Sequence, residues 1–186
     1  MKVEQLRINE ARLMARLNEL AAIGATADGS CCRLALTDED RAGRDLVARW
    51  MRELGLEVRI DPIGNLFGLR RGAEDVEPVM TGSHIDTVRT GGRYDGCLGV
   101  LGGLEVVQTL NDAGVRTRRP LVVAAFTNEE GARFAPDMLG SLVYAGGLPL
   151  AEALERVSID GQRLGDELAR IGYAGSAALP LVKPQA

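Results

Sequence analysis

The sequence predicts an α/β protein with a mixed, largely parallel sheet flanked by helices. Three observations support this fold class. Amphipathic helical patterns alternate with short apolar runs along the chain. One run, from Leu121 to Phe126, is apolar throughout, which is typical of a strand buried on both faces. The stretch from Pro78 to Phe126 reads strand, helix, strand, as in a βαβ unit. The length of 186 residues indicates about one domain.

Two amphipathic helices are predicted first. Asn9 is placed to cap a helix from about Glu10 to Ile23, because its side chain can accept a hydrogen bond from the first turn. Thr37 precedes three acidic residues, which the helix dipole favours in a first turn. We expect this second helix to run to about Leu54 and to end at Gly55.

The predicted strands and the helix between them follow. Two short strands, Glu57 to Ile60 and Leu66 to Leu69, flank a turn that contains proline and glycine. A third strand is expected from Pro78 to Ser83, and a helix from Cys97 to Leu110. The apolar positions of that helix should face inward. They are Leu98, Leu101, Leu104 and Val107.

The pattern is weaker in the last third of the chain. Short helices are predicted from Leu148 to Val157 and from Leu164 to Ile171. Residues from roughly 175 to 186 resemble a linker or the approach to a further strand, because two prolines interrupt an otherwise apolar stretch.

Composition excludes several classes of protein. The formal net charge of −4 gives no reason to expect nucleic acid or an anionic membrane surface as a partner. The sequence contains no run of about 18 apolar residues, so no membrane-spanning helix is expected. The three cysteines, two of them adjacent, do not form a disulfide pattern, which favours a reducing cytoplasm.

Residues with metal-binding chemistry follow the two central strands. His84 and Glu129 come just after predicted parallel strands, and Asp95 lies at the start of the helix between them. Ligands of open α/β sheets bind at the edge where such strands end. Imidazole and carboxylate together suit zinc, manganese or cobalt. Asp86 could orient the imidazole, and one carboxylate of Glu129 and Glu130 could bind metal while the other accepts a proton.

Each of these residues also has a simpler explanation. His84 could be a hydrogen-bonded structural residue, Asp86 could form an Asx turn, and Asp95 could cap a helix. The two adjacent glutamates could be a solvated helical turn. Because all of them are expected at one edge of the sheet, we favour the metal site.

Three motifs resemble those of a known enzyme family. They are Gly-Ser-His-Ile-Asp-Thr, Gly-Gly-Arg-Tyr-Asp-Gly and Thr-Asn-Glu-Glu-Gly-Ala-Arg-Phe, beginning at residues 82, 91 and 127. The segments are similar to metal-dependent amidohydrolases of the aminoacylase/carboxypeptidase clan. The branch concerned contains N-carbamoyl-L-amino-acid hydrolases, allantoate amidohydrolases and β-ureidopropionases. The resemblance extends to about Gly175.

The resemblance implies a role for each candidate residue. His84 would bind one of two divalent metal ions, Asp95 would bridge both, and Glu130 would bind the second. Glu129 would be the general base, and Asp86 would orient His84. The implied reaction is hydrolysis of the carbamoyl C–N bond of a small N-carbamoyl-L-amino acid, with allantoate as the alternative substrate.

The same resemblance implies parts that these 186 residues lack. The family pattern has two further histidines, and between them a lid and dimerisation domain. We therefore expect residues 1–186 to be the N-terminal part of a metallopeptidase-like catalytic domain, without the lid, whose full-length form is a homodimer. Alone, it should not be a competent hydrolase. The alternative is a catalytically inactive remnant that persists as a binding module.

Overall fold

A computed structural model describes residues 5–178 as helices packed on both faces of one sheet. Within these residues the elements, in chain order, are α1 (Glu10–Ala21), α2 (Asp38–Glu53), β1 (Glu57–Ile60), β2 (Leu66–Arg70), β3 (Val79–His84), α3 (Cys97–Asp112), β4 (Leu121–Phe126), α4 (Leu139–Tyr144), α5 (Leu150–Leu154) and α6 (Leu164–Ile171). No helix in this part of the chain is long and apolar enough to cross a membrane.

The starts of both N-terminal helices agree with the sequence prediction. The Asn9 side chain accepts a hydrogen bond from the N–H of Arg12 at 3.1 Å, and the Thr37 hydroxyl accepts one from the N–H of Asp40 at 3.3 Å. Helix α2 ends before Gly55, whose φ of +77° lies in the left-handed region that glycine adopts without strain. Local capping chemistry therefore sets these boundaries.

The sheet is mixed, as predicted, and its strand order is β1-β2-β4-β3. The parallel pairing is confined to β3 and β4, and the other two pairings are antiparallel. The reason lies in the connections. Only the turn 61–65 separates β1 from β2, so they form a hairpin, whereas α3 provides the crossover that a parallel pair needs. The part of the sheet that carries the candidate site is the parallel part.

Alternation along β4 divides the core between the two faces of the sheet. Val123 and Ala125 pack with α1, α2 and α3 on one face. Val122 and Ala124 pack with Phe67 and with Tyr144 of α4 on the other. The prediction that β4 is buried on both faces is confirmed.

The outward face of α3 corrects one prediction. Leu98 was expected to face inward but is 49% exposed, while Leu101, Leu104 and Val107 are buried as predicted. Cys97 and Val100 occupy the inward positions of the first turn instead. Leu98 lies about 100° around the helix axis from Cys97, on the side that the core does not cover.

The C-terminal third differs most from the prediction. Helix α6 has the predicted bounds, α5 is shorter than the predicted 148–157, and α4 was not predicted. Part of the predicted linker lies beside β1, because the N–H of Ala177 donates to the carbonyl of Ile60 at 2.9 Å. The rest of the predicted linker, from residue 179, lies outside the described residues.

Candidate metal centre

Strand register brings the two halves of the candidate site to one edge of the sheet. His84, the last residue of β3, pairs with Phe126, the last residue of β4. The two segments that follow these strands therefore start next to each other. They are residues 85–87 after β3 and residues 127–130 after β4.

The His84 ring is buried and held in one orientation. The side chain is 5% exposed, and Nδ1 lies 2.9 Å from the main-chain oxygen of Asp86. A carbonyl oxygen only accepts, so Nδ1 is the donor in this contact. Nε2, the other ring nitrogen, lies 3.3 Å from Oε2 of Glu129. The sequence predicted that His84 and Glu129 lie at one edge, and the structure brings them into contact.

The Asp86 carboxylate holds the main chain of the two glutamates. Its Oδ1 accepts the N–H of Glu129 and its Oδ2 accepts the N–H of Glu130, each at 3.2 Å. The carboxylate is 3.8 Å from Nδ1 of His84, so the atom of Asp86 that contacts the ring is the main-chain oxygen. Burial, followed by the charge of Asp40, raises the pKa of Asp86 to about 6.

Glu130 lies in a field of neighbouring negative charge. Burial raises its pKa, the carboxylates of Asp95 and Glu129 raise it further, and His84 opposes them. A carboxylate whose pKa is raised by neighbouring carboxylates favours a cation beside it. Glu129 and Glu130 belong to a turn and not to the helical turn considered as an alternative.

Asp95 is exposed and directly precedes the residue that packs against the His84 ring. The next residue, Gly96, packs so closely that a Cβ there would lie 2.5 Å from Nε2 of His84. Gly96, not Asp95, is the N-cap of α3, and no side chain caps this helix. Among the described residues the Asp95 carboxylate has no hydrogen-bond or ion-pair partner, so helix capping does not account for it.

The turn that carries the glutamates is fixed by amide side chains. Asn65 accepts the N–H of Thr127 at 2.8 Å and donates to the carbonyl of Gly140 at 3.0 Å. Asn128 adopts φ of +52°, which is uncommon outside glycine, and its side chain bonds Phe134. These contacts fix the path of the main chain just before Glu129.

Sequence reasoning missed the supporting residues. Asn128 lies inside a motif that was recognised, and an asparagine next to the glutamates was the available signal for a left-handed residue. Asn65 and Arg44 gave no such signal, because they reach Thr127 from positions 62 and 83 residues away.

The donor set fits a divalent cation in its chemistry. Because Nδ1 of His84 contacts the main chain, Nε2 is the ring nitrogen available to a cation, and Oε2 of Glu129 lies 3.3 Å from it. Imidazole and carboxylate oxygens suit zinc, manganese or cobalt. Within residues 5–178 no three His, Cys, Asp or Glu side chains are grouped so as to hold one ion. These residues therefore offer each ion two donors at most.

Comparison with known proteins gives consistent results. Residues 80–170 match peptidase family M20/M25/M40. The chain is 49% identical to an N-carbamoyl-L-amino-acid amidohydrolase of Rhizobium meliloti over 92% of this chain and 42% of that protein. A protein of the same name from Geobacillus stearothermophilus is 48% identical over 89% of this chain and 40% of its own length.

The fold comparison covers the same portion. A crystal structure of a hydantoinase/carbamoylase family amidase from Burkholderia ambifaria superimposes with a TM-score of 0.92 at 54% identity, over 94% of this chain and 43% of that one. The chain thus spans about two-fifths of the length of these relatives. Together with the match to residues 80–170, which contains all five candidate site residues, these likenesses show that the chain belongs to peptidase family M20/M25/M40.

Proposed function

We propose that the protein is a metal-dependent amidohydrolase that cleaves the carbamoyl C–N bond of N-carbamoyl-L-amino acids. The observation that carries the proposal is the contact of His84 with Glu129, on a turn whose next residue is the half-buried Glu130. A buried imidazole whose second nitrogen faces carboxylates is suited to bind a cation next to a general base. The names of the two N-carbamoyl-L-amino-acid amidohydrolases support the substrate class.

Each residue has a proposed role. His84 and Asp95 would hold one divalent ion, and Asp95 with Glu130 a second, where Asp95 bridges. A divalent ion bound there acts as a Lewis acid towards the substrate carbonyl. Zinc, manganese and cobalt all suit this donor set. Two donors per ion are fewer than the three protein ligands usual in catalytic zinc sites, so we propose that segments outside this chain complete the coordination.

Glu129 is the proposed base. Its side chain is 34% exposed, so water reaches it, while its main chain is held by Asp86. Glu129 takes a proton from the attacking water as the water oxygen bonds to the carbamoyl carbon. It then gives that proton to the nitrogen as the C–N bond breaks. When the bond to the amino-acid nitrogen breaks, the free amino acid and carbamic acid are released, and the carbamic acid decomposes in water to ammonia and carbon dioxide.

Allantoate is the second candidate substrate. More distant relatives are named allantoate deiminase 1 and ureidoglycolate hydrolase. The compounds in these names carry a ureido group, as N-carbamoyl amino acids do. The same carboxylates would therefore serve either substrate. Substrate contacts outside this chain would decide between them.

The test measures ammonia release by the intact protein. The metal-free protein is reloaded with zinc, manganese or cobalt and is given a panel of N-carbamoyl-L-amino acids, their D-enantiomers and allantoate. We expect turnover of the L-series, lost on chelation and restored by one of the metals. Preference for allantoate would establish the second candidate. Absence of turnover with every metal and substrate would favour the inactive remnant.

Location and assembly complete the proposal. Cys31, Cys32 and Cys97 are free, which fits a reducing cytoplasm. We propose a homodimer on the strength of the resemblance alone. Light scattering of the intact protein tests it, and a monomeric mass would contradict it.

A further inference from the structure

Arg44 of α2 is a charged side chain buried behind the candidate site. It is 1% exposed, and its guanidinium donates to Asp40 at 2.8 Å, to the carbonyl of Gly64 at 2.7 Å and to the hydroxyl of Thr127 at 3.3 Å. One side chain therefore ties together α2, the turn between β1 and β2, and the start of the turn that carries Glu129.

The charge of Arg44 acts on two buried carboxylates, Asp40 in direct contact and Asp86 at longer range. Burial opposes its charge, but the carboxylate of Asp40 and, more weakly, that of Asp86 outweigh burial and raise the pKa of Arg44. Asp40 uses one oxygen for Arg44 and for the N–H of Leu36, and its other oxygen has no hydrogen-bond partner. Without Arg44, the buried charges of Asp40 and Asp86 would repel each other and lose the opposing charge of this guanidinium.

Both routes from Arg44 lead to the same pair of glutamates. Thr127 is two residues before Glu129, and Asp86 accepts the N–H groups of Glu129 and Glu130.

We propose that Arg44 is a positioning residue that sets the direction in which Glu129 and Glu130 project into the site. Its effect on catalysis rests on the proposed function, whereas its effect on the turn does not. Residues that orient a metal ligand typically alter metal affinity or activity by about 10–100-fold when they are replaced.

The test compares three variants of the intact protein. Arg44→Lys keeps the charge and loses the forked donor, Thr127→Val removes only the hydroxyl, and Glu105→Gln is the control. Glu105 is a buried carboxylate paired with Arg12, on the part of α3 away from the site. Each variant is characterised by amide hydrogen exchange, zinc titration and steady-state kinetics.

For Arg44→Lys we expect faster exchange of the Glu129 and Glu130 amides, zinc affinity lower by about 10–100-fold, and a lower kcat with little change in KM. Thr127→Val should change the same quantities less. Glu105→Gln should lower only the melting temperature. If Arg44→Lys does not fold, the exchange and zinc data of Thr127→Val decide.

Unchanged exchange at residues 129 and 130, with unchanged zinc affinity, would overturn the proposal even if the variant melts earlier. An inactive wild-type protein would contradict the proposed function only. The exchange measurement would still show whether Arg44 holds the turn.

Discussion

The two sides of the candidate site are built differently. The turn at residues 127–130 is held by side chains from distant parts of the fold, and Thr127 and Asn128 are completely buried. The loop at residues 91–96 is anchored at its ends, where Gly91 exchanges two 2.9 Å hydrogen bonds with Cys31 and Gly96 packs on His84. The residues between those anchors, Asp95 among them, are exposed.

This difference separates two ways of placing a carboxylate. The glutamates owe their positions to hydrogen bonds that exist in the folded chain, so they are preorganised. Asp95 has no such partner among residues 5–178, so a cation would contribute more to its placement. Substitutions around the turn 127–130 should therefore act by altering the direction of Glu129 and Glu130. Substitutions in the loop 91–96 should act by altering the distance between Asp95 and the His84 ring.

The largest effect is expected from Glu129→Gln in the intact protein. Because the amide keeps the shape of the side chain but cannot accept the proton from water, turnover should fall by about 10²–10⁴-fold. Metal content should stay unchanged, since Glu129 is not a proposed ligand. Kinetics beside elemental analysis check this.

The matched variant is Glu130→Gln, which should lose metal as well as activity. If Glu129→Gln loses metal and Glu130→Gln retains it, the two residues have exchanged roles. That result would leave the preorganised turn intact and would reverse only the assignment.

The parts of the fold that depend on neighbouring residues were predictable from the sequence. Asn9 and Thr37 cap helices through bonds that span three residues, and the apolar run of β4 indicated burial on both faces. The position of His84 and Glu129 at one edge followed from the parallel pairing of β3 and β4. These are short-range patterns or consequences of one topological rule.

What sequence could not predict depends on long-range packing. Arg44 and Asp40 read as an ordinary helical ion pair four residues apart, and only the tertiary structure buries them against Thr127. Leu98 differs from Leu101 only in its position around α3, which packing decides. The role of Asp86 towards the glutamates required the fold as well.

A smaller effect, on stability, is expected from Asp61, which helps to hold the turn 127–130. Asp61 accepts hydrogen bonds from Asn65, which in turn holds Thr127. Burial raises the pKa of Asp61 from 3.8 to about 6, because it outweighs the hydrogen bonds, which lower the pKa. The folded protein therefore binds more protons than the unfolded chain between those values, so the contribution of Asp61 to stability falls as pH rises through that window.

Asp61→Asn removes this titration. The free energy of unfolding of the wild type, relative to the variant, should fall by about 2–3 kcal/mol between pH 4 and pH 7. Urea unfolding at the two pH values measures the gap. Asp28→Asn is the control between pH 5 and pH 7, because the pKa of Asp28 is lowered to about 2 and lies below that range. A gap for Asp61→Asn that is equal at pH 4 and pH 7 would show that burial does not dominate at this carboxylate.

The smallest effect is expected from Gly96→Ala in the exposed loop 91–96, where Gly96 packs against the His84 ring. A Cβ at residue 96 would lie 2.5 Å from two atoms of the His84 ring, and the φ of +62° is a backbone conformation that alanine rarely adopts. The ring and the start of α3 must separate, which moves Asp95 away from His84. Zinc affinity should fall by about 10–100-fold, as measured by titration. Gly92→Ala is the matched control in the same loop, because a Cβ there meets nothing within 4 Å. Equal zinc affinities for the two variants would mean that Asp95 reaches the cation whatever the position of its loop. The contrast between the turn 127–130 and the loop 91–96 would then not affect metal binding.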